Sequence, residues 1–286
     1  MANVILAYGN LADLATLSGG SWQASLPLDN IKDRRLGRVA RTTSAASGNS
    51  KFDADFGANR LFRVIALVGH NISVDGQYRI RLGADPTFAS TVHDSGWADV
   101  WPIVYPFGQV PWGSPNWWSG RFTEDQIDAY PKVLVHILSA ALNAQYMRVE
   151  IDDEGNEAAF VQVGRLFAAD GWQPEYNASY EGASLGWIDR TYVQEALSGA
   201  EVFDARTMPR KVRVEFPVMP QDEAMAQAFE IQRAMGTSGE VLFVWDPDDT
   251  VHAVRRQIFG RLRTLSDIEN PGPDRWRAPF EIKELL

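Results

Sequence analysis

Four histidines, two runs of carboxylates and ten tryptophans are the side chains of this 286-residue sequence whose chemistry goes beyond packing. His70 follows an apolar run and stands beside Asn71, a place where an imidazole could serve as a general base. A base needs a positioned nucleophile, and no serine lies in a Gly-x-Ser-x-Gly elbow. The bland alternative is a polar strand end whose side chains bond to a neighbouring loop, and that is the expectation. His70, His93, His136 and His252 are far apart and lack a His-x-x-x-His spacing, so no metal site is expected. Asp152, Asp153, Glu154 and Glu157 offer clustered oxygens of the kind calcium takes, but not in the order of an EF-hand. A solvated hairpin turn explains them as well, and the same reading covers Asp246, Asp248 and Asp249. Acids are common enough to supply a glycosidase pair, yet nothing marks two of them as partners. No glycine-rich phosphate loop is present. The expectation is a protein that is not an enzyme, with no catalytic residues, no metal and no cofactor.

The tryptophans carry a stronger signal. Five of the ten, Trp97, Trp101, Trp112, Trp117 and Trp118, fall in one stretch, GWADVWPIVYPFGQVPWGSPNWWSGRF. Its prolines bar it from a central strand, so it reads as a long excursion, and long loops inside compact domains are usually functional. Three uses stay open. The rings could stack on the apolar face of a sugar, anchor a protein interface, or fold back on their own domain.

The elements that must position these residues are mostly strands. Phe52, Ala54 and Phe56 alternate with Lys51, Asp53 and Asp55. A turn is expected at residues 57–60, then a buried strand at 61–68. Tyr78, Ile80 and Leu82 mark another strand, and residues 132–138, 146–151 and 160–167 three more. Many short strands between turn signals suggest a sandwich or barrel. The polar stretch 170–186 reads as the domain boundary. Beyond it come strands at 211–216, 240–245, 257–265 and 276–283, and one convincing helix at 221–235, started by Pro220 and closed by Gly236. Ala224, Ala228, Ile231 and Met235 share a face of it, with Met225 and Phe229 beside them. Phe216, Phe229, Phe243, Trp245 and Trp276 are expected in the core of this second domain.

Bulk properties narrow the classes further. Hydrophobic residues are 45% of the chain and charged residues 22%, an ordinary globular balance with enough apolar mass for two domains. A net charge of -10 argues against contact with nucleic acid or an anionic membrane surface. Cysteine is absent, which excludes disulfides, thiolate zinc sites and cysteine nucleophiles. The start MANVILAYGN lacks the basic flank and apolar length of a signal peptide, and no apolar stretch reaches membrane-spanning length.

Several segments resemble known families. Leu26-Pro27-Leu28-Asp29-Asn30-Ile31 and Phe52-Asp53-Ala54-Asp55-Phe56-Gly57 resemble the opening and an early strand of discoidin-like (galactose-binding-like) jelly rolls. IALVGHNI, from Ile65, looks like the next strand in versions found in tailed-phage virion proteins. YMRVEIDD, from Tyr146, and AFVQVGRLF, from Ala159, look like the closing pair. Farther on, RKVRVEF, a helix, VLFVWDP, FGRL and WRAPFEIKEL are similar to distal tail and related tail-tip proteins. The implied fold is mainly β: a jelly-roll sandwich over residues 1–172, then a β-rich α+β tail-ring domain over 173–286 with the helix at 221–235. The implied role is a virion structural protein of a phage tail tip or baseplate, made in the host cytoplasm. The resemblance also implies partners: further copies in a ring of six or three, the tail tube protein, and the baseplate hub or other tail-tip proteins. A carbohydrate-binding adhesion module, with a host-surface glycan as ligand, is the alternative. The sugar-contacting residues of discoidin-like domains do not map onto this sequence.

Overall fold

The computed structural model describes residues 2–286, which form a mainly β protein of two compact units. The units do not part at one point near residue 172. The first is Asn10–Gly171 with Pro247–Gln257, and the second is Ala2–Gly9, Trp172–Asp246 and Ile258–Leu286. Strand pairing is the reason for this correction. Ile5–Tyr8 lies antiparallel to Val241–Val244, with Leu6 opposite Phe243. Leu6 and Trp172 also exchange two backbone hydrogen bonds of 2.9 Å.

The first unit is a jelly-roll sandwich. Its main antiparallel sheet runs Arg165–Ala169, Lys51–Val68, Val133–Asp152, Gln77–Gly83, Thr91–Asp94, with Thr16–Ser18 and Ala98–Asp99 as side pairings. A small ladder of Ala40–Arg41 with Gln162–Val163 contributes Ala40 and Val163 to the same core as Phe52 and Ile65. Alternation governs which side chains go inward, because successive strand residues face opposite ways. Phe52, Ala54 and Phe56 are buried, as are Ile80 and Leu82.

Two expectations about these strands are corrected. Lys51–Val68 is one strand, without a turn at 57–60, and Val133–Asp152 is one strand where two were expected. The ladder between them is irregular from Asp55↔Tyr146 to Arg60↔Ala144 and again from Phe62↔Leu142 to Val64↔Ile137. The first irregularity adds residues to one strand and the second adds them to its partner, so the original register returns. Gly57, at φ 70°, supplies the left-handed residue that such a bulge favours. The carboxylate turn is also not simply solvated. Asp153 is buried and accepts hydrogen bonds from the Ser73 backbone at 3.0 Å, the Ser73 hydroxyl at 2.5 Å and Asn156 Nδ2 at 2.6 Å. Asp246 is buried too, and Asp249 is held by Arg256 at 2.8 Å.

The second unit is a sheet in the order Ile5–Tyr8, Val241–Val244, Gln257–Thr264, Arg275–Glu284, Arg210–Met219, Ser184–Trp187. One face packs on the helix of residues 221–235 through Ala224, Ala228 and Ile231. The middle of that helix, Ala224–Phe229, widens into a π turn, and Gly236 ends it at φ 52°. Phe216 and Phe243 are buried and Trp245 and Trp276 half-buried, but Phe229 is 52% exposed. At helical spacing it sits roughly 130° from the middle of the buried stripe, too far round to reach the sheet. Where the sheet ends, Arg210 and Glu284 form a buried ion pair whose carboxylate also accepts the Arg210 backbone N–H at 2.9 Å.

A feature that the sequence pattern left unassigned completes this unit. Tyr192–Glu195 and Glu201–Asp204 make a two-stranded hairpin, and every residue of both strands is exposed.

Candidate functional site

The aromatic excursion is built on a buried foot. Trp101, Val104, Phe122 and Ile127 form a small separate core, with Val74 and Val254 packed against it. Trp101 is 2% exposed, and its Nε1 donates to the Ile72 carbonyl at 3.2 Å. Trp101 is therefore a packing residue and not a contact residue, which corrects its place among the candidates. Arg121 ties the far end of the excursion down, donating to the Val74 carbonyl at 2.9 Å and pairing with Asp99 at 2.5 Å. The Gly120 carbonyl accepts both the Val104 and Tyr105 backbone N–H groups at 2.8 Å. Gly120 has φ 60°, and a Cβ there would stand 2.5 Å from the Tyr105 oxygen, so only glycine fits this close approach. Thr123 and Gln126 form a capping box at the start of the helix Glu124–Asp128.

Above this foot the rings turn outward. Phe107 and Trp118 are each 83% exposed and Trp112 is 79% exposed. Trp117 is half-buried between Phe107, 5.7 Å away, and Trp112, 5.0 Å away, both edge-on. Such edge-to-face contacts are worth about 0.5–1.5 kcal/mol each and bias the rings toward this arrangement. The buried Trp117 Nε1 has no hydrogen-bond partner among the described residues. Trp97 is 45% exposed and makes no ring contact with the others. The structure thus brings together Trp112 and Trp117, leaves Trp118 and Trp97 as separate exposed rings, and withdraws Trp101. Beside the cluster lies a 360 Å³ pocket lined by Tyr105, Gln109, Pro111, Ser114, Asn116 and Gln126 among others. Sequence reasoning singled out none of its polar residues, and the capping pattern at Thr123 was the only signal near it.

The histidines separate by environment. His70 is buried against Trp101, at 5.7 Å between rings, and its Nδ1 accepts the Ile72 N–H at 3.2 Å. Burial, with Lys132 nearby, lowers its pKa to about 3, so it is neutral and its proton sits on Nε2. Asn71 bonds the neighbouring segment as expected, donating to the Phe160 carbonyl at 3.0 Å and accepting the Gln162 N–H at 2.7 Å. His136 stands in a chain: Tyr78 Oη lies 3.2 Å from its Nδ1, and His93 Nε2 lies 3.1 Å from its Nε2. Burial pushes Tyr78 up to about 12, so the phenol stays protonated beside the His136 ring. Burial, then His93, brings His136 down to about 4, so its ring is neutral at pH 7. No group of three or more metal-ligating side chains occurs among the described residues.

No protein-family model matches the chain, and no curated protein does. Among solved structures it is similar to CBM32-1 from a family 31 glycoside hydrolase of Clostridium perfringens. That match has 10% identity and a TM-score of 0.38, over 57% of this chain and 98% of that one. The family 32 CBM of C. perfringens NanJ, in complex with galactose, matches at 12% identity and a TM-score of 0.37, over 57% and 98%. A fucose binding module of Streptococcus pneumoniae matches at 10% and 0.37, over 57% and 96%. Likeness of this grade says nothing of a ligand, and the fold of the first unit rests on its own strand pairing.

Proposed function

We propose that this chain is a non-catalytic structural component of a phage tail tip, forming or joined to the ring between tail tube and baseplate. The observation that carries the reading is exposed apolar surface in two places. Phe107 and Trp112, joined through Trp117, stand out from the first unit. In the hairpin of the second, Val193 with Phe203 stand out from one face and Tyr192 with Val202 from the other. Contiguous apolar patches mark interaction sites in soluble proteins, because leaving them in water costs free energy that a partner recovers. The family resemblance of the second unit supplies the kind of assembly. Mass spectrometry of purified particles made by the genome that encodes the chain tests this. Its presence there in a few copies per particle is expected, and its absence would defeat the reading.

A second reading is favoured by the 360 Å³ pocket next to the aromatic cluster. A pocket of that size, with amides and hydroxyls beside flat rings, suits one sugar ring. On this reading the first unit binds a host-surface glycan, with Trp112 and Trp118 as stacking faces. Glycan-array binding lost in Trp112→Ala and Trp118→Ala would support it, and an array without signal for the wild type would remove it. The two readings are compatible within one tail-tip protein.

A further inference from the structure

The second unit carries two surfaces that are each unfavourable alone and complementary to each other. In the hairpin, Val193 lies opposite Phe203, and Glu195 lies opposite Glu201. These four share one face, since residues two apart point the same way. The two glutamates make no ion pair among the described residues. Like charges directly opposite on neighbouring strands are destabilising, and a lone two-stranded hairpin is marginal in water. The hairpin is exposed on both faces, so its own unit does not cover it.

The face of the sheet turned away from the helix shows the opposite sign. Lys211 lies directly opposite Lys283, which lies opposite Arg261 on the next strand. Arg213 stands one row along, opposite Glu281. Arg263 takes Glu281 and Arg277 takes Glu215, which leaves Lys211, Arg213 and Lys283 without an ion pair among the described residues. The crowding is felt at Lys283, whose pKa is lowered by burial and then by Arg190, Arg261 and Arg263. In a chain of net charge -10, such a concentration of unpaired cations calls for an anionic partner.

We propose that the Tyr192–Asp204 hairpin of one copy docks on the Lys211–Lys283 sheet face of the next, with Glu195 and Glu201 meeting the two lysines. This rests on the ring reading and deepens it by naming the contact. Both halves belong to one chain, so a copy that gives its hairpin to one neighbour and its sheet face to another makes a head-to-tail contact, the kind that closes into a ring when the rotation allows. A second copy fits better than a generic acidic partner, because the acidic pair and the basic pair have the same cross-strand geometry. Val193 and Phe203 would be covered at the same time.

Charge reversal tests this in solution. The mass of the purified chain is followed by sedimentation velocity over a concentration series and at rising salt. The wild type is expected to oligomerise, more weakly as salt screens the contact. Glu195→Lys with Glu201→Lys, and separately Lys211→Glu with Lys283→Glu, should each weaken association at least tenfold. All four changes in one chain should restore it. Circular dichroism and melting of each variant establish that the reversals leave the fold intact. A wild type that oligomerises while both reversed pairs associate undiminished overturns the hairpin contact and leaves the ring reading standing. A wild type monomeric at every concentration overturns both.

Discussion

Replacing Trp101 by alanine should unfasten the whole aromatic excursion, whereas the same change at Trp112 or Trp118 should leave it in place. Trp101 is 2% exposed, against 79% and 83% for the other two. Taking about 200 Å² of buried indole surface at roughly 25 cal/mol per Å² gives about 5 kcal/mol as an upper estimate for the truncation. Core aromatic-to-alanine changes of about 3–5 kcal/mol agree with that. The Ile72 carbonyl would also lose its indole donor, which lies at 3.2 Å, adding about 1 kcal/mol. Trp101→Phe keeps the packing but loses the donor, so about 1–2 kcal/mol is expected. Trp118→Ala should stay within about 0.5 kcal/mol of the wild type, and Trp112→Ala should cost about 0.5–1.5 kcal/mol for its lost edge contact with Trp117. The two units need not unfold together, so a single melting point is a poor readout. Urea denaturation by circular dichroism, with hydrogen exchange read over residues 97–123, resolves the effect. Equal protection in Trp101→Ala and Trp112→Ala would refute the division into a buried foot and an exposed top.

Other expectations follow from the same contacts. Glu284→Gln should cost about 3–5 kcal/mol in urea denaturation, because it strands the Arg210 guanidinium in the interior, while replacing both residues by methionine should cost far less. Gly120→Ala should lower the melting temperature measurably, since its Cβ would press on the Tyr105 oxygen at 2.5 Å. The pH dependence has a definite sign. His136 is held down near 4 and His70 near 3, below the ordinary 6.5, so the unfolded chain takes up protons first. Their stabilising contribution is complete above about pH 6.5 and falls as pH drops toward 4 and then 3. Urea midpoints taken between pH 7 and pH 4 should decline, and His136→Asn should flatten part of that slope.

What the sequence made legible was local and periodic. Phe52-Ala54-Phe56 and Tyr78-Ile80-Leu82 announce their buried faces by alternation, and the helix at 221–235 announces itself by its stripe and its closing glycine. What it hid was set by distant partners. Nothing around Ile5–Tyr8 says that it will pair with Val241–Val244, because that pairing is decided across most of the chain. The supposed turn at 57–60 stayed in its strand because residues 138–141 offset it on the facing strand. The Tyr192–Asp204 hairpin left a weak trace in the alternation of YVQE and EVFD around a Ser-Gly pair. Among the five tryptophans, spacing cannot separate Trp101 from the rest. The carbonyl of Ile72 and the rings around it do that, and they come from other segments.

The pairing of Ile5–Tyr8 with Val241–Val244 bears on how the polypeptide emerges from the ribosome. Synthesis proceeds at about 5–20 residues per second, and early segments ordinarily fold as they appear. Here an apolar ribbon leaves the exit tunnel long before its mate exists and must wait while the sandwich behind it consolidates. Expression in cells with little chaperone capacity should therefore reveal aggregation that purified, already folded material never shows.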